Sequence, residues 1–226
     1  MRPSFVPPQP IRQLRDLTRY RTEVVRERTR ETQRLHNLLE DAGIKITLVV
    51  SDVLGKSGRA MLDALIAGER DPHTLAELAV GRLRGKHAAL IDALTGTFTE
   101  HHAFLARAML DRIDTATAMH NRLSARIDRL VQPYRRHVEL LASVPGVSEH
   151  TAQVILAEIG SDIARFPSAG HLASWAGVCP GNNESAGKHS SGTTRPGDPW
   201  LKSVLGQAAI SASRGKNTSW PHGTDD

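Results

Sequence analysis

Residues 139–160 read ELLASVPGVSEHTAQVILAEIG. Leu140, Leu141 and Val144 precede a Pro-Gly pair, and Ala152, Val154, Ile155 and Ile159 follow it, so the stretch predicts two short helices joined by VPGVS. Gly146 permits the tight turn. The amides of Val147, Ser148 and the residues after them begin a helix whose positive end can hold a phosphate, a sequence-independent contact with a nucleic-acid backbone. A helix-hairpin-helix motif and an ordinary αα-hairpin share this pattern, and the residues leave both open.

Upstream, Pro133 marks a break. From Lys86 to about Gln132, Leu90, Leu94, Phe98, Leu105, Met109, Ile113, Leu123, Ile127 and Leu130 recur at threes, fours and sevens with no internal proline, which predicts one long helix, either a coiled coil or a bundle helix. His101 and His102 point about 100° apart on such a helix and are read as polar or partly buried rather than as metal ligands. A second long helix is expected from Ile11 to about Ala42, with Gly43 as its stop. Its seam of Leu14, Leu17, Val24, Leu35 and Leu38 is interrupted by Arg21, Arg28 and Glu31, and its many arginines are read as a solvated face paired with Glu23, Glu27 and Glu31. Between the long helices lie a buried connector over 44–56, a short helix over 57–68 with Met61, Leu62, Leu65 and Ile66 inward, and another opened by Asp71-Pro72. Prolines at 3, 7, 8 and 10 make residues 1–10 an extended linker.

Downstream, FPSAGHLASWAGVCPG predicts a helix with Leu172, Ala173 and Trp175 inward, ending by Gly177, and Asp198-Pro199 opens another through Leu201, Val204, Leu205, Ala208 and Ala209. The polar stretch NNESAGKHSSGTTRPGDPWLK, residues 182–202, is anchored at both ends, and a loop so long is uncommon unless functional or disordered. Its small residues let a backbone approach an anion, which Lys188, Arg195 and Lys202 would neutralise. A serine there has the chemistry of a nucleophile on phosphorus, yet on the pattern alone a phosphate-binding loop without catalysis is the better reading. GxxxxGK[ST] is absent, so this is no P-loop.

The formal charge of +5 over 226 residues favours an anionic partner. Cys179 is the lone cysteine, so no intrachain disulfide is possible, and no zinc-like Cys/His spacing occurs. No apolar run has the length of a signal peptide or a membrane span, which points to a cytoplasmic protein, and Arg far outnumbers Lys, which leans to a GC-rich bacterial source.

Taken together, SVPGVSEHTAQVILAEIG, FPSAGHLASWAGVCPG, NESAGKHSSGTTRPGDPWLKSVLGQAA and SASRGKNT resemble the C-terminal domain of insertion-sequence transposases of the IS-one-ten group, which are serine-dependent, bridge-RNA-guided DNA recombinases. IRQLRDLTRYRTEVVRERTRETQRLHNLLEDAGIK is similar to the stretch that follows the family's RuvC-like domain and runs into its coiled coil. The resemblance implies a nucleophile at Ser185 in ESAGK, with Ser190 and Ser191 as fallbacks, and a divalent metal such as Mg2+ held by four acidic residues that this chain does not match.

The expectation is a mainly α protein: an extended 1–10, a helical or coiled-coil region over 11–132, a helix-hairpin-helix transposase domain over 133–218, and a disordered 219–226. It reads as a transposase fragment cut at both ends and inactive alone, without a metal site of its own. Ser185 is its catalytic candidate. Gly146, Val147, Ser148, Gly187, Lys188, Arg195 and Lys202 are its nucleic-acid contacts. DNA, a guide RNA and further copies through the coiled coil are the expected partners. The alternative is a non-catalytic nucleic-acid-binding or dimerisation module.

Overall fold

The computed structural model describes residues 7–179, the backbone of 184–185 and 188–189, and residues 197–214. The fold is mainly α. Gly187, Ser190, Ser191 and Arg195, with residues 1–6 and 215–226, lie outside the described residues. The chain divides into two compact units, Glu23–Asn121 and Met1–Thr22 with Arg122–Asp226, so the expected boundary at Pro133 falls inside the second.

Helix α1 (Gln9–Asp41) ends as its sequence requires. Gly43 takes φ +74°, and the Ile44 amide reaches back to the Leu39 carbonyl at 2.8 Å, a left-handed cap that a side chain at 43 would strain. In the unit Glu23–Asn121, α1 is followed by α2 (Lys56–Ile66), α3 (Pro72–Glu77), α4 (His87–Leu94) and the first part of α5 (Glu100–Val131). Asp71 caps α3, accepting from the His73 and Thr74 amides. Leu35, Leu39, Ile46, Met61, Leu62 and Leu75 form a buried apolar core, each full burial contributing about 1.5–3 kcal/mol.

The single helix expected over 86–132 is interrupted between α4 and α5. Tertiary contact overrides its periodicity. The Thr97 amide bonds to the Ala42 carbonyl at 2.7 Å, the Lys45 amide to the Ala93 carbonyl at 2.7 Å, and a Cβ on Gly96 would stand 2.5 Å from the Ala42 carbonyl oxygen. His102 accepts a bond from the Thr99 amide at the start of α5 and lies 3.4 Å from Asp41, while His101 is exposed, as polar histidines on a helix should be.

In the other unit, α6 (Arg135–Ala142) and α7 (Glu149–Ile159) form an antiparallel hairpin across SVPGVS, followed by α8 (Ala169–Ala176) and α9 (Pro199–Arg214). Every residue of α7 from Thr151 to Ile159 is buried, which makes this helix the axle of the unit. Ala152, Leu156 and Ala157 face a cluster with Leu14, Ile127, Val131 and Val138, while Val154, Ile155 and Ile159 face Ala176, Leu201 and Val204. Trp175, expected inward on α8, is 42% exposed, because the helix buries Ala176 instead and leaves the indole beside Phe166 and Arg165. Among the described residues no helix is long and apolar enough to cross a membrane.

Candidate nucleic-acid site

The serine-bearing segment is tied at its base. Gly177 closes α8 in the left-handed region at φ +72°, and Gly197 lies so close that a Cβ on it would be 2.5 Å from the Gly177 nitrogen and Cα. The chain therefore leaves and returns through a pair of touching glycine backbones. Next to this crossing, Asp198 caps α9 through the Trp200 and Leu201 amides, at 3.0 and 2.8 Å.

Arginines from α1 hold that cap in place. Arg19 grips the Glu158 carboxylate with two bonds of 2.8 Å and reaches Asp198 at 3.3 Å, its guanidinium 5.7 Å from the Trp200 ring centre. Arg15 donates to the Ala157 and Glu158 carbonyls at 3.1 and 2.9 Å, closing the C-terminus of α7. The Glu158 side chain is 1% exposed, and burial pushes its carboxyl above the usual range against the opposing pull of Arg19. Arg26 and Arg34 do pair with Glu23 and Glu31 as expected. Arg15 and Arg19 instead serve as internal clamps, a role signalled only by Glu158, the one acid in the buried stretch Thr151–Ile159 of α7. Arg28 donates to Thr117 Oγ1 at 2.9 Å within the Glu23–Asn121 unit.

Inside the tied segment, β1 (Glu184–Ser185) pairs antiparallel with β2 (Lys188–His189), with Glu184 opposite His189 and Ser185 opposite Lys188. A stretch read as irregular loop thus contains a short hairpin, and the register sets the Ser185 backbone beside that of Lys188. Lys202 lies in the first turn of α9, four residues past the Asp198 cap, to whose carbonyl its amide donates at 2.9 Å.

The turn between α6 and α7 is a separate place. Gly146 has φ +84°, and a Cβ there would overlap the Ala208 carbonyl oxygen and stand 2.8 Å from the Ala212 nitrogen, so α9 packs directly on the turn. The Val147 amide donates to the Val144 carbonyl at 3.0 Å, and Val147 packs against the apolar clusters around α7. Ser148 is the N-cap of α7, its Oγ accepting from the Thr151 amide at 3.2 Å. Glu149, in the first helical turn, adds a negative charge where a phosphate would bind. Among the described residues no three His, Cys, Asp or Glu side chains gather into a set able to hold a metal ion, so the divalent ion implied by the resemblance has no ligand set there.

Residues 138–222 match the family described as the IS116/IS110/IS902 transposases. In Streptomyces coelicolor, an uncharacterized 43.6 kDa protein of insertion element IS110 is 37% identical over 93 residues, 39% of this chain and 22% of that protein. A proposed mini-circle transposase for IS117 from the same organism is 30% identical over 153 residues, 64% of this chain and 35% of its own length. In Mycobacterium paratuberculosis, an uncharacterized 42 kDa protein of IS900 is 28% identical over 200 residues, 81% of this chain and 49% of that protein. The chain spans no more than about half the length of these curated relatives. No solved structure matches it. Residues 138–222 are thus where the chain is similar to the IS116/IS110/IS902 transposase family, and its similarity to the insertion-element proteins reaches beyond them.

Proposed function

We propose that this chain supplies the serine half of a transposase that cuts and rejoins DNA strands at the ends of an insertion element, in a bacterial cytoplasm. Ser185 is the nucleophile. Its Oγ bonds to a backbone phosphorus as the strand's own P–O bond breaks; the departing sugar oxygen takes up a proton, and the serine proton passes to a base. Lys188, opposite Ser185 in the hairpin, Arg195 and Lys202 offset the charge on the transferring phosphoryl group, with Gly187 allowing close approach. Gly146, Val147 and Ser148 belong to the helix-hairpin-helix reading of α6 and α7, in which the turn touches the DNA backbone. The observation that carries this reading is the ESAGK hairpin within the matched domain, held at its base by Gly177, Gly197 and the Arg19–Asp198 contact.

The residues of this sequence match no acidic, metal-binding half of the reaction, so the proposed serine chemistry needs such a half beside it, together with a guide RNA. The seam residue Leu14 packs against Ile127 and Val131 of the same chain, so assembly with further copies uses other helix faces. The competing reading is a binding or dimerisation module without catalysis, in which the basic loop only holds phosphate. Ser185→Ala separates the two. With a complementing relative supplied in trans, strand exchange is expected to fall by at least about a hundredfold while DNA affinity changes less than about twofold. Loss of affinity with unchanged exchange would instead establish the binding module.

A further inference from the structure

A cavity of about 330 Å³ opens in the unit Glu23–Asn121, with all of its lining residues from that unit. Lys56 enters it from the first turn of α2, and Arg82 and Lys86 from the turn of 3-10 helix Gly81–Lys86. Elsewhere in this unit Arg34, Arg59, Arg107 and Arg112 reach carboxylates. Lys56 and Arg82 have no such partner among the described residues, and Lys86 Nζ donates only to the Val49 carbonyl, at 3.2 Å. The one carboxylate in the wall, Asp52, accepts from the Leu54 amide at 3.0 Å. Three cations against one carboxylate leave the wall at +2, a charge that repels itself unless an anion enters.

The remaining wall suits a compact oxyanion. Ser51 and Gly55 keep it free of bulk, and Gly55 offers no side chain to cap α2, so the first amides of that helix remain for a ligand. The volume lies near the lower end for small-ligand sites, room for a phosphate and little more than its nucleoside.

We propose that this cavity binds a phosphate group, held between Lys56, Arg82 and Lys86. The phosphate belongs either to a nucleic-acid strand or to a free phosphate compound, and the test tells these apart. The full chain, labelled with 15N, is titrated with inorganic phosphate and separately with a short single-stranded oligonucleotide at matched ionic strength. The amides of Ser51, Gly55, Lys56 and Arg82 are expected to shift saturably. In the Lys56→Ala/Arg82→Ala double variant the affinity for either probe falls about tenfold or more. Both replaced side chains are exposed, and an otherwise unchanged spectrum verifies the fold. Tighter binding of the oligonucleotide than of inorganic phosphate assigns the cavity to a strand, and equal or weaker binding assigns it to a free phosphate. Shifts no larger than chloride produces, or shifts that persist in the double variant, overturn the proposal. Ser185→Ala leaves these shifts unchanged, so the cavity and the serine reading stand or fall separately.

Discussion

Gly146 shows how one residue type can be right for a reason different from the one its sequence suggests. The turn does need its positive φ, but the closer constraint is α9, whose Ala208 carbonyl occupies the place of a Cβ. Gly146→Ala is therefore expected to destabilise the protein by about 2–4 kcal/mol in urea unfolding, combining left-handed strain with overpacking. A cost under about 0.5 kcal/mol would mean that α9 does not pack on the turn. Arg21 makes the opposite case. It is 2% exposed in the seam of α1, its Nε and Nη2 have no hydrogen-bond partner among the described residues, and burial pushes its pKa down to about 10 against the weaker pull of Asp128. A base whose pKa is lowered by folding costs stability at every pH below the folded value, and that cost fades only as pH climbs from about 10 toward the unfolded value. Arg21→Leu should thus raise stability at pH 7 by about 1–3 kcal/mol, with the gain shrinking above pH 10. A loss on substitution would reveal a partner for the guanidinium.

At the scale of elements, the break between α4 and α5 is set by backbone contact. Gly96→Ala would force a methyl against the Ala42 carbonyl, the Gly43 backbone and Ile44 Cδ1, at an expected cost of about 1–3 kcal/mol. A stabilised variant with added helix signal by circular dichroism would show that the continuous helix is the preferred state. Elements whose ends are set by local chemistry were legible in the sequence: Gly43 stops α1, and Asp71-Pro72 and Asp198-Pro199 start α3 and α9. The interruption at 95–99 was not, because the partner of Gly96 lies more than fifty residues away and leaves no periodic trace. Trp175 faces outward for a related reason: a helix of eight residues has too few positions to declare which face a neighbour will cover. The Ser185 motif is visible as a motif, while the Gly177–Gly197 approach and the Arg19–Glu158–Asp198 contacts at the ends of its segment join residues apart in sequence.

Across the whole molecule, the chain divides into two compact units, each with its own buried clusters. The family match covers residues 138–222, which lie in the unit built around α7, and the phosphate cavity lies in the other unit. The Gly96 and Gly146 substitutions fall in different cores without shared partners, so their costs should add in the double variant to within about 0.5 kcal/mol. The proposed serine chemistry comes down to one bond, between Ser185 Oγ and a DNA phosphorus. Its most direct measurement is to incubate the chain with a longer relative and element-end DNA, quench, digest, and locate any nucleotide-bearing peptide by mass spectrometry. A nucleotide on Ser185 that disappears in Ser185→Ala is the predicted result, and an adduct on another residue, or strand exchange by Ser185→Ala at the wild-type rate, would contradict it.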